Sequence, residues 1–368
     1  MAAAGDGAVR RSFGVDLGDI DPYGGIGSPD GDRAPTKVIY VGVPGATVRV
    51  AAGRLVVDSP DGVALLSVPA GHVRGLALCG PVGLSAGARN WALRGDVDVV
   101  FASWRGQYLG HLAGAGTRRV ERLRALLGAS DDPGRAVTFG RAVVTAKLSK
   151  QAVLLHRSRR QERHDQVDAA ILGIIRSIDS VAGATSRDEI MGAEGAAARA
   201  YFAALGALLP APLRFATRSR RPPLDVINSA LSFGYTLLLG EAVTALTAAG
   251  LDPAIGLLHT PADRRPSLAL DLIEEFRPYV VDQVVLHLAR TGRLGLEHGS
   301  EETDRAGVLL NREGRAVLID AYEQRMATVT RSALPGFTGS IRRHLHRQAQ
   351  RLAAWVERDV PWDGLEWR

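Results

Sequence analysis

From residue 37 to residue 102 the apolar positions come in short runs with turn-formers between them. Lys37-Val-Ile-Tyr-Val-Gly42, Thr47-Val-Arg-Val50, Arg54-Leu-Val-Val57 and Val63-Ala-Leu-Leu-Ser-Val68 are such runs, and Pro60-Asp61-Gly62 is one of the breaks. Runs of this length, rich in Val and bounded by Gly, Pro and Asp, predict strands. Residues 73–78 and 97–102 add two more, with a helix expected over 85–94 between them. Gly114-Ala-Gly116 then reads as a hinge over 113–117. Beyond it the apolar period is helical, over about 118–128, 133–158, 162–182, 187–206, 223–249, 267–291, 312–330 and 339–357. The pattern predicts an α+β protein: a small strand-rich domain over 36–112, then a larger all-α domain over 118–368. Residues 1–35, rich in Gly, Asp and Pro without sustained periodicity, are expected to form a disordered extension.

Composition narrows the function classes. The single cysteine, Cys79, excludes an intrachain disulfide framework, a Cys-rich zinc finger and a cysteine-ligated cluster. No uninterrupted apolar run reaches the roughly 18 to 20 residues of a bilayer span, and the first residues lack a secretory pattern. A cytoplasmic protein is expected, without a membrane partner. The net charge is +6, and of 45 basic residues only Lys37, Lys147 and Lys150 are lysines. Arginine matches phosphate oxygens bidentately and suits a nucleic-acid backbone. A GC-rich genome gives the same excess, so composition alone leaves both readings open.

Candidate chemistry concentrates in His259-Thr-Pro-Ala-Asp-Arg-Arg-Pro-Ser-Leu-Ala-Leu-Asp-Leu-Ile-Glu-Glu-Phe-Arg-Pro278. Asp271, Glu274 and Glu275 fall at i, i+3 and i+4, so a helix gathers them on one side. Like charges so spaced repel, by roughly 0.2–0.5 kcal/mol per pair when solvated, and a cation turns that repulsion into coordination. A solvated acidic first turn, favoured by the helix dipole, explains the same residues. Leu268, Leu272 and Phe276 form a core stripe beside them. His259, followed by Thr-Pro, is either a ligand or a satisfied core residue. Glu194, in Met191-Gly-Ala-Glu-Gly-Ala-Ala-Ala-Arg-Ala-Tyr-Phe202, is a surface residue or a placed acid whose small neighbours admit another backbone.

Taken together, three segments resemble the Cas1 family of CRISPR adaptation integrases. They are Gly192-Ala-Glu-Gly-Ala-Ala-Ala-Arg-Ala-Tyr-Phe202, Arg221-Pro-Pro-Leu-Asp-Val-Ile-Asn-Ser-Ala-Leu-Ser-Phe-Gly-Tyr-Thr-Leu-Leu237, and Gly256-Leu-Leu-His259 with Arg265-Pro-Ser-Leu-Ala-Leu-Asp-Leu-Ile-Glu-Glu-Phe-Arg-Pro278. Leu84-Ser to Gly95, Val99-Val-Phe and Gly106-Gln-Tyr-Leu-Gly110 agree, and the resemblance spans roughly residues 37 to 357. It implies metal and catalytic ligands at Glu194, His259 and Glu274, with Asp271 a secondary candidate. It also implies a Mg²⁺- or Mn²⁺-dependent endonuclease and integrase, in which a 3′-hydroxyl attacks a phosphodiester at a CRISPR repeat. Its implied partners are double-stranded DNA, a second copy of the chain joined through the strand-rich domain, and a Cas2 dimer. Arg218, Arg220, Arg221, Arg264, Arg265 and Arg277 are candidate phosphate contacts, with ion pairs inside the protein as the alternative. Asn228, Ser232 and Tyr235 share a helix face and either line the cleft or pack internally. A non-catalytic DNA-binding scaffold and a small-molecule phosphohydrolase are the competing readings.

Overall fold

Alternation along the strands sets how the two layers meet. In a computed structural model of the protein, which describes residues 15–19, 37–95, 97–103, 108–112, 114, 120–159, 164–301, 307–334 and 337–365, the strand-rich part holds two sheets. The first runs β1 (Val15–Asp19), β2 (Lys37–Val41), β6 (Val73–Cys79), β8 (Asp98–Ala102) and β9 (Tyr108–Leu112), in that order. Its three central strands are parallel and both edges antiparallel. The second runs β5 (Ala64–Pro69), β4 (Arg54–Asp58), β3 (Thr47–Ala51) and β7 (Gly83–Leu84). Ile39, Val41, Leu76, Leu78 and Val99 of the first sheet share a core with Val48, Leu55 and Val57 of the second. Side chains alternate across a strand, so Val38 and Tyr40 face the other way and join the helical core. The helix α1 (Ala86–Arg94) is started by Ser85, whose side chain accepts from the Ala88 N–H.

The expected disordered extension is corrected at Val15–Asp19, which pair antiparallel with β2 from Lys37 to Val41. Five residues are too few for alternation to stand out among the glycines around them. The rest of 1–35, and the hinge at 113–117 apart from Gly114, lie outside the described residues.

The second part is built from α2 (Val120–Asp131), α3 (Pro133–Ser158), α4 (Asp165–Gly183), α5 (Arg187–Ala207), α6 (Val226–Ala248), α7 (Ser267–Ile273), α8 (Gln283–Arg290), α9 (Arg312–Ala327) and α10 (Ile341–Arg358). It is not all-α. Two antiparallel hairpins, β10 (Gly299–Glu301) with β11 (Val308–Leu310) and β12 (Val329–Leu334) with β13 (Phe337–Ser340), interrupt it. Three-residue strands carry no readable period, and β12 begins in the tail of a helical pattern that ends at Ala327.

The one helix expected over 267–291 is also corrected. It splits into α7, a short link, a π-helical turn at Pro278–Asp282, and α8. Proline has no N–H to continue an α-helical ladder, and the wider turn absorbs Pro278. By length and composition α6 is apolar enough to cross a membrane, yet it is mostly buried inside the protein. It is the shared wall between layers: at Gly240 an added Cβ would lie 3.1 Å from Val100 of β8.

A candidate metal centre and nucleic-acid groove

Three segments distant in sequence bring Glu194, Glu274 and His259 toward one place. Glu194 lies on α5, started by Ser186 accepting from the Glu189 N–H. At Gly192 and Gly195, which flank it, an added Cβ would meet nothing within 4 Å. The space beside Glu194 is therefore open, rather than filled by the close packing that small residues also allow.

The His259 loop is folded by one carboxylate. Asp271, fully buried, accepts from the backbone N–H groups of Leu257, Leu258 and His259 at 2.7, 3.0 and 2.9 Å. It also binds the His259 ring at Nδ1, 2.6 Å away. Gly256 makes the tight approach possible, since a Cβ there would lie 2.1 Å from the His259 carbonyl oxygen. Because a carboxylate only accepts, Nδ1 is the donor, which leaves Nε2 as the nitrogen for a ligand in the neutral ring. A carboxylate behind the ring is how metal-binding histidines are usually oriented. With four bonds on its two oxygens, Asp271 acts as the support of His259.

Glu274 and Glu194 meet across Lys147 of α3. The Lys147 Nζ pairs with Glu194 Oε1, and with Glu274 Oε2 at 2.6 Å. Arg277 Nη1 donates to Glu274 Oε1 at 2.6 Å. Burial alone pushes the Glu274 carboxyl up, but Arg277 and Lys147 outweigh it and hold it at about 2. Burial pulls the Lys147 ammonium down, and the two glutamates outweigh that, leaving it raised. The His259 ring lies close enough to act on Glu274 electrostatically.

Glu275 is not part of this group. It accepts from Gln348 Nε2 at 3.0 Å and from the Leu365 N–H at 2.7 Å, tying the chain's end to α10. Burial pushes its carboxyl up to about 7. The expectation that Asp271, Glu274 and Glu275 cluster on one helix side is thus corrected. The regular helix ends at Ile273, and the three acids face a loop, a lysine and the C-terminal segment respectively. The apolar stripe of Leu268, Leu272 and Phe276 is fully buried as expected.

The candidate arginines divide. Arg264, Arg265, Arg220 and Arg221 are exposed. Arg218 is engaged internally, donating to Asn228 Oδ1 at 2.9 Å and Ser232 Oγ at 2.8 Å. Asn228 is buried and also bonds Asp225 and the Thr217 carbonyl. The Tyr235 ring lies 5.6 Å from the Arg218 guanidinium and 4.9 Å from that of Arg277. Its hydroxyl donates to Asp282, as does that of Tyr201 at 2.7 Å. Asn228, Ser232 and Tyr235 therefore form an internal network that ends on Arg277 and Glu274.

Sequence reasoning missed Lys147, although a signal existed: it is one of three lysines in a chain with 45 basic residues. Its compact ammonium meets both carboxylates as a single point charge. One turn on, Lys150 begins a groove of about 490 Å³ whose wall also includes Arg157, His287, Arg290 and Arg325. None of the described residues lining it is acidic.

The donor set suits a hard divalent cation, which takes carboxylate oxygens and tolerates one imidazole. Among the described residues no three such side chains stand close enough to form a finished cage. The gap between the carboxylates is instead spanned by the Lys147 ammonium.

Residues 39–324 match the family described as CRISPR associated protein Cas1. A curated relative from Thermus thermophilus, a CRISPR-associated endonuclease Cas1, is 41% identical over 84% of this chain and 93% of its own. A fusion of a Cas4 exonuclease and a Cas1 endonuclease from Rhodospirillum rubrum is 34% identical over 91% of this chain and 58% of its own. Among solved structures, a Cas1 protein from Thermotoga maritima superposes with a TM-score of 0.75 at 24% identity, covering 90% of this chain and all of that one. A casposase bound to its integration product gives 0.77 at 21% identity, covering 89% of this chain and 92% of that one. The fold is thus shared with a Cas1 protein and a casposase, and this chain belongs to the Cas1 family.

Proposed function

We propose that this protein is a metal-dependent DNA endonuclease and integrase of CRISPR adaptation. One observation carries the reading: oxygens of Glu194 and Glu274, 80 positions apart in the sequence, meet at one cation beside a histidine whose free nitrogen is Nε2. Family membership supports it, as do the endonuclease names of the curated relatives. The shared fold of a casposase solved with an integration product agrees.

In this reading Glu194, Glu274 and His259 Nε2 hold Mg²⁺ or Mn²⁺. When bound, the ion supplies Lewis-acid polarisation of a phosphoryl oxygen and stabilises the departing oxygen. The protein's own part is placement. Asp271 fixes the imidazole, and Arg277 fixes Glu274 through the Tyr235 and Arg218 network. The groove of Lys150, Arg157, Arg290 and Arg325 takes the phosphates of a DNA strand leading from the acids, binding that salt weakens. Open space beside Glu194 lets that strand approach. A 3′-hydroxyl as the attacking group gives strand transfer, and water in its place gives cleavage.

The same reading assigns double-stranded DNA, a second copy of the chain and a Cas2 dimer as partners. A complex of Cas6, reverse transcriptase, Cas1 and Cas2 contains a chain with this fold at a TM-score of 0.76 and 22% identity, covering 88% of this chain and 35% of that one. The test is Glu194→Ala, His259→Ala and Glu274→Gln on Mn²⁺-supported strand transfer. Each is expected to lose about 100-fold or more, matching loss of several kcal/mol of transition-state stabilisation. DNA binding by fluorescence anisotropy is expected to persist. Wild-type strand transfer in all three would overturn the assignment.

A further inference from the structure

We infer that Lys147 is a tethered counter-cation that occupies the metal position of the empty protein and is displaced when the metal binds. The inference rests on the reading of Glu194 and Glu274 as metal ligands. Its ground is geometric. The ammonium bridges Glu194 Oε1 and Glu274 Oε2, oxygens that a bridging Mg²⁺ would hold at about 2.0–2.1 Å. Two cations cannot share that point. Repulsion decides which arrangement holds in each state. Without Lys147 two carboxylates would face each other, Glu274 nearly buried, with Arg277 bound to only one of them. With a divalent ion present, an ammonium between the same oxygens would be repelled by it.

Charge accounting points the same way. Glu194 and Glu274 are already balanced by Lys147 and Arg277, so with Lys147 in the bridge only the Asp271 carboxylate behind His259 is left to attract a divalent ion. Displacement of Lys147 from the bridge creates the attraction that binding needs. The four-carbon stem keeps the displaced ammonium beside the site, on the helix that one turn later presents Lys150 to the basic groove. Lys147 is in this sense a positioning residue: it preserves the spacing of the two carboxylates until the ion replaces it.

The test compares the full-length protein with Lys147→Met and Lys147→Arg, titrated with MnCl₂ by calorimetry and melted with and without the ion. Lys147→Met is expected to bind Mn²⁺ about tenfold more tightly, equivalent to about 1.4 kcal/mol. Its melting temperature without metal should fall below wild type and recover more on adding Mn²⁺. Lys147→Arg, which keeps the competing charge, should not show the tighter binding. Equal or weaker Mn²⁺ affinity in Lys147→Met overturns the inference while leaving the metal-site reading intact. No Mn²⁺ binding by either wild type or Lys147→Met overturns both. Should Lys147→Met fail to fold without metal, saturating Mn²⁺ is expected to restore its circular dichroism, and a protein still unfolded then also overturns the inference.

Discussion

Arg342 and Lys147 each sit between two glutamates, and the contrast between them separates a structural ion cluster from a working one. Arg342 of α10 donates to Glu241 of α6 at 2.9 Å and to Glu323 of α9 at 2.7 Å. Tyr40 of β2 adds a hydroxyl to the same Glu323, so the cluster pins the strand-rich part to three helices. The Arg342 side chain is 0% exposed and its acids 8% and 7%. Around Lys147, Glu194 is 19% and His259 16% exposed. One cluster is sealed and joined by a planar, multi-donor cation. The other opens on the side of Glu194 and uses a flexible point charge. Burial of a paired charge is weak evidence of stabilisation, whereas removing one partner from a sealed cluster is costly.

The largest expected effect breaks the sealed member. Arg342→Met should lower unfolding free energy by about 3–5 kcal/mol, because two buried carboxylates lose their shared cation. Urea unfolding measures this, and a loss no larger than that of an exposed arginine would erase the contrast.

Asp282 offers a third case, a buried carboxylate held by two tyrosine hydroxyls. Burial pushes it up to about 6 despite those hydrogen bonds. The folded state therefore binds a proton more tightly than the unfolded state does. The corresponding stability is complete below the unfolded value and is lost as pH rises through about 6. Relative to Asp282→Asn, the wild type should lose up to about 3 kcal/mol between roughly pH 4 and pH 6. Parallel stability–pH curves for the two proteins would count against burial as the force acting on that carboxylate.

The smallest effect sharpens the open member. Asp271→Asn keeps the side-chain size but sets an N–H donor where one of the two accepting oxygens stood, so it weakens the loop's bonds together with the support behind His259. Mn²⁺ affinity by calorimetry should fall by about 10- to 100-fold, the usual weight of such a support. An unchanged affinity would make Asp271 a loop brace only.

These residues also show what the sequence could disclose. Strands with Val and Leu at alternate positions, such as Thr47–Ala51, were legible because one face is buried. Helix α3 was legible to its ends, marked by Asp132 and Pro133 at the start. Glu194, His259 and Glu274 were reached through family resemblance, and the fold brings two of them onto one lysine. Lys147 was marked only by the rarity of lysine in this chain, because no local pattern tells a buried lysine between acids from one on the surface. The division of Asp271, Glu274 and Glu275 among three partners was equally hidden. It depends on where the helix ends and on Leu365, some 90 positions away.

The π-helical turn at Pro278–Asp282 works as a phase adjuster. A regular helix turns by about 100° per residue, and a π turn accommodates one residue more than an α turn. Residues after it are therefore clocked by one position against those before it. Upstream lie Glu274 and Arg277; downstream lie His287 and Arg290, which face the basic groove. Asp282, at the end of the turn, accepts from both Tyr201 and Tyr235. Removing one residue from the turn would leave each half chemically unchanged and rotate His287 and Arg290 away from the line set by the acids.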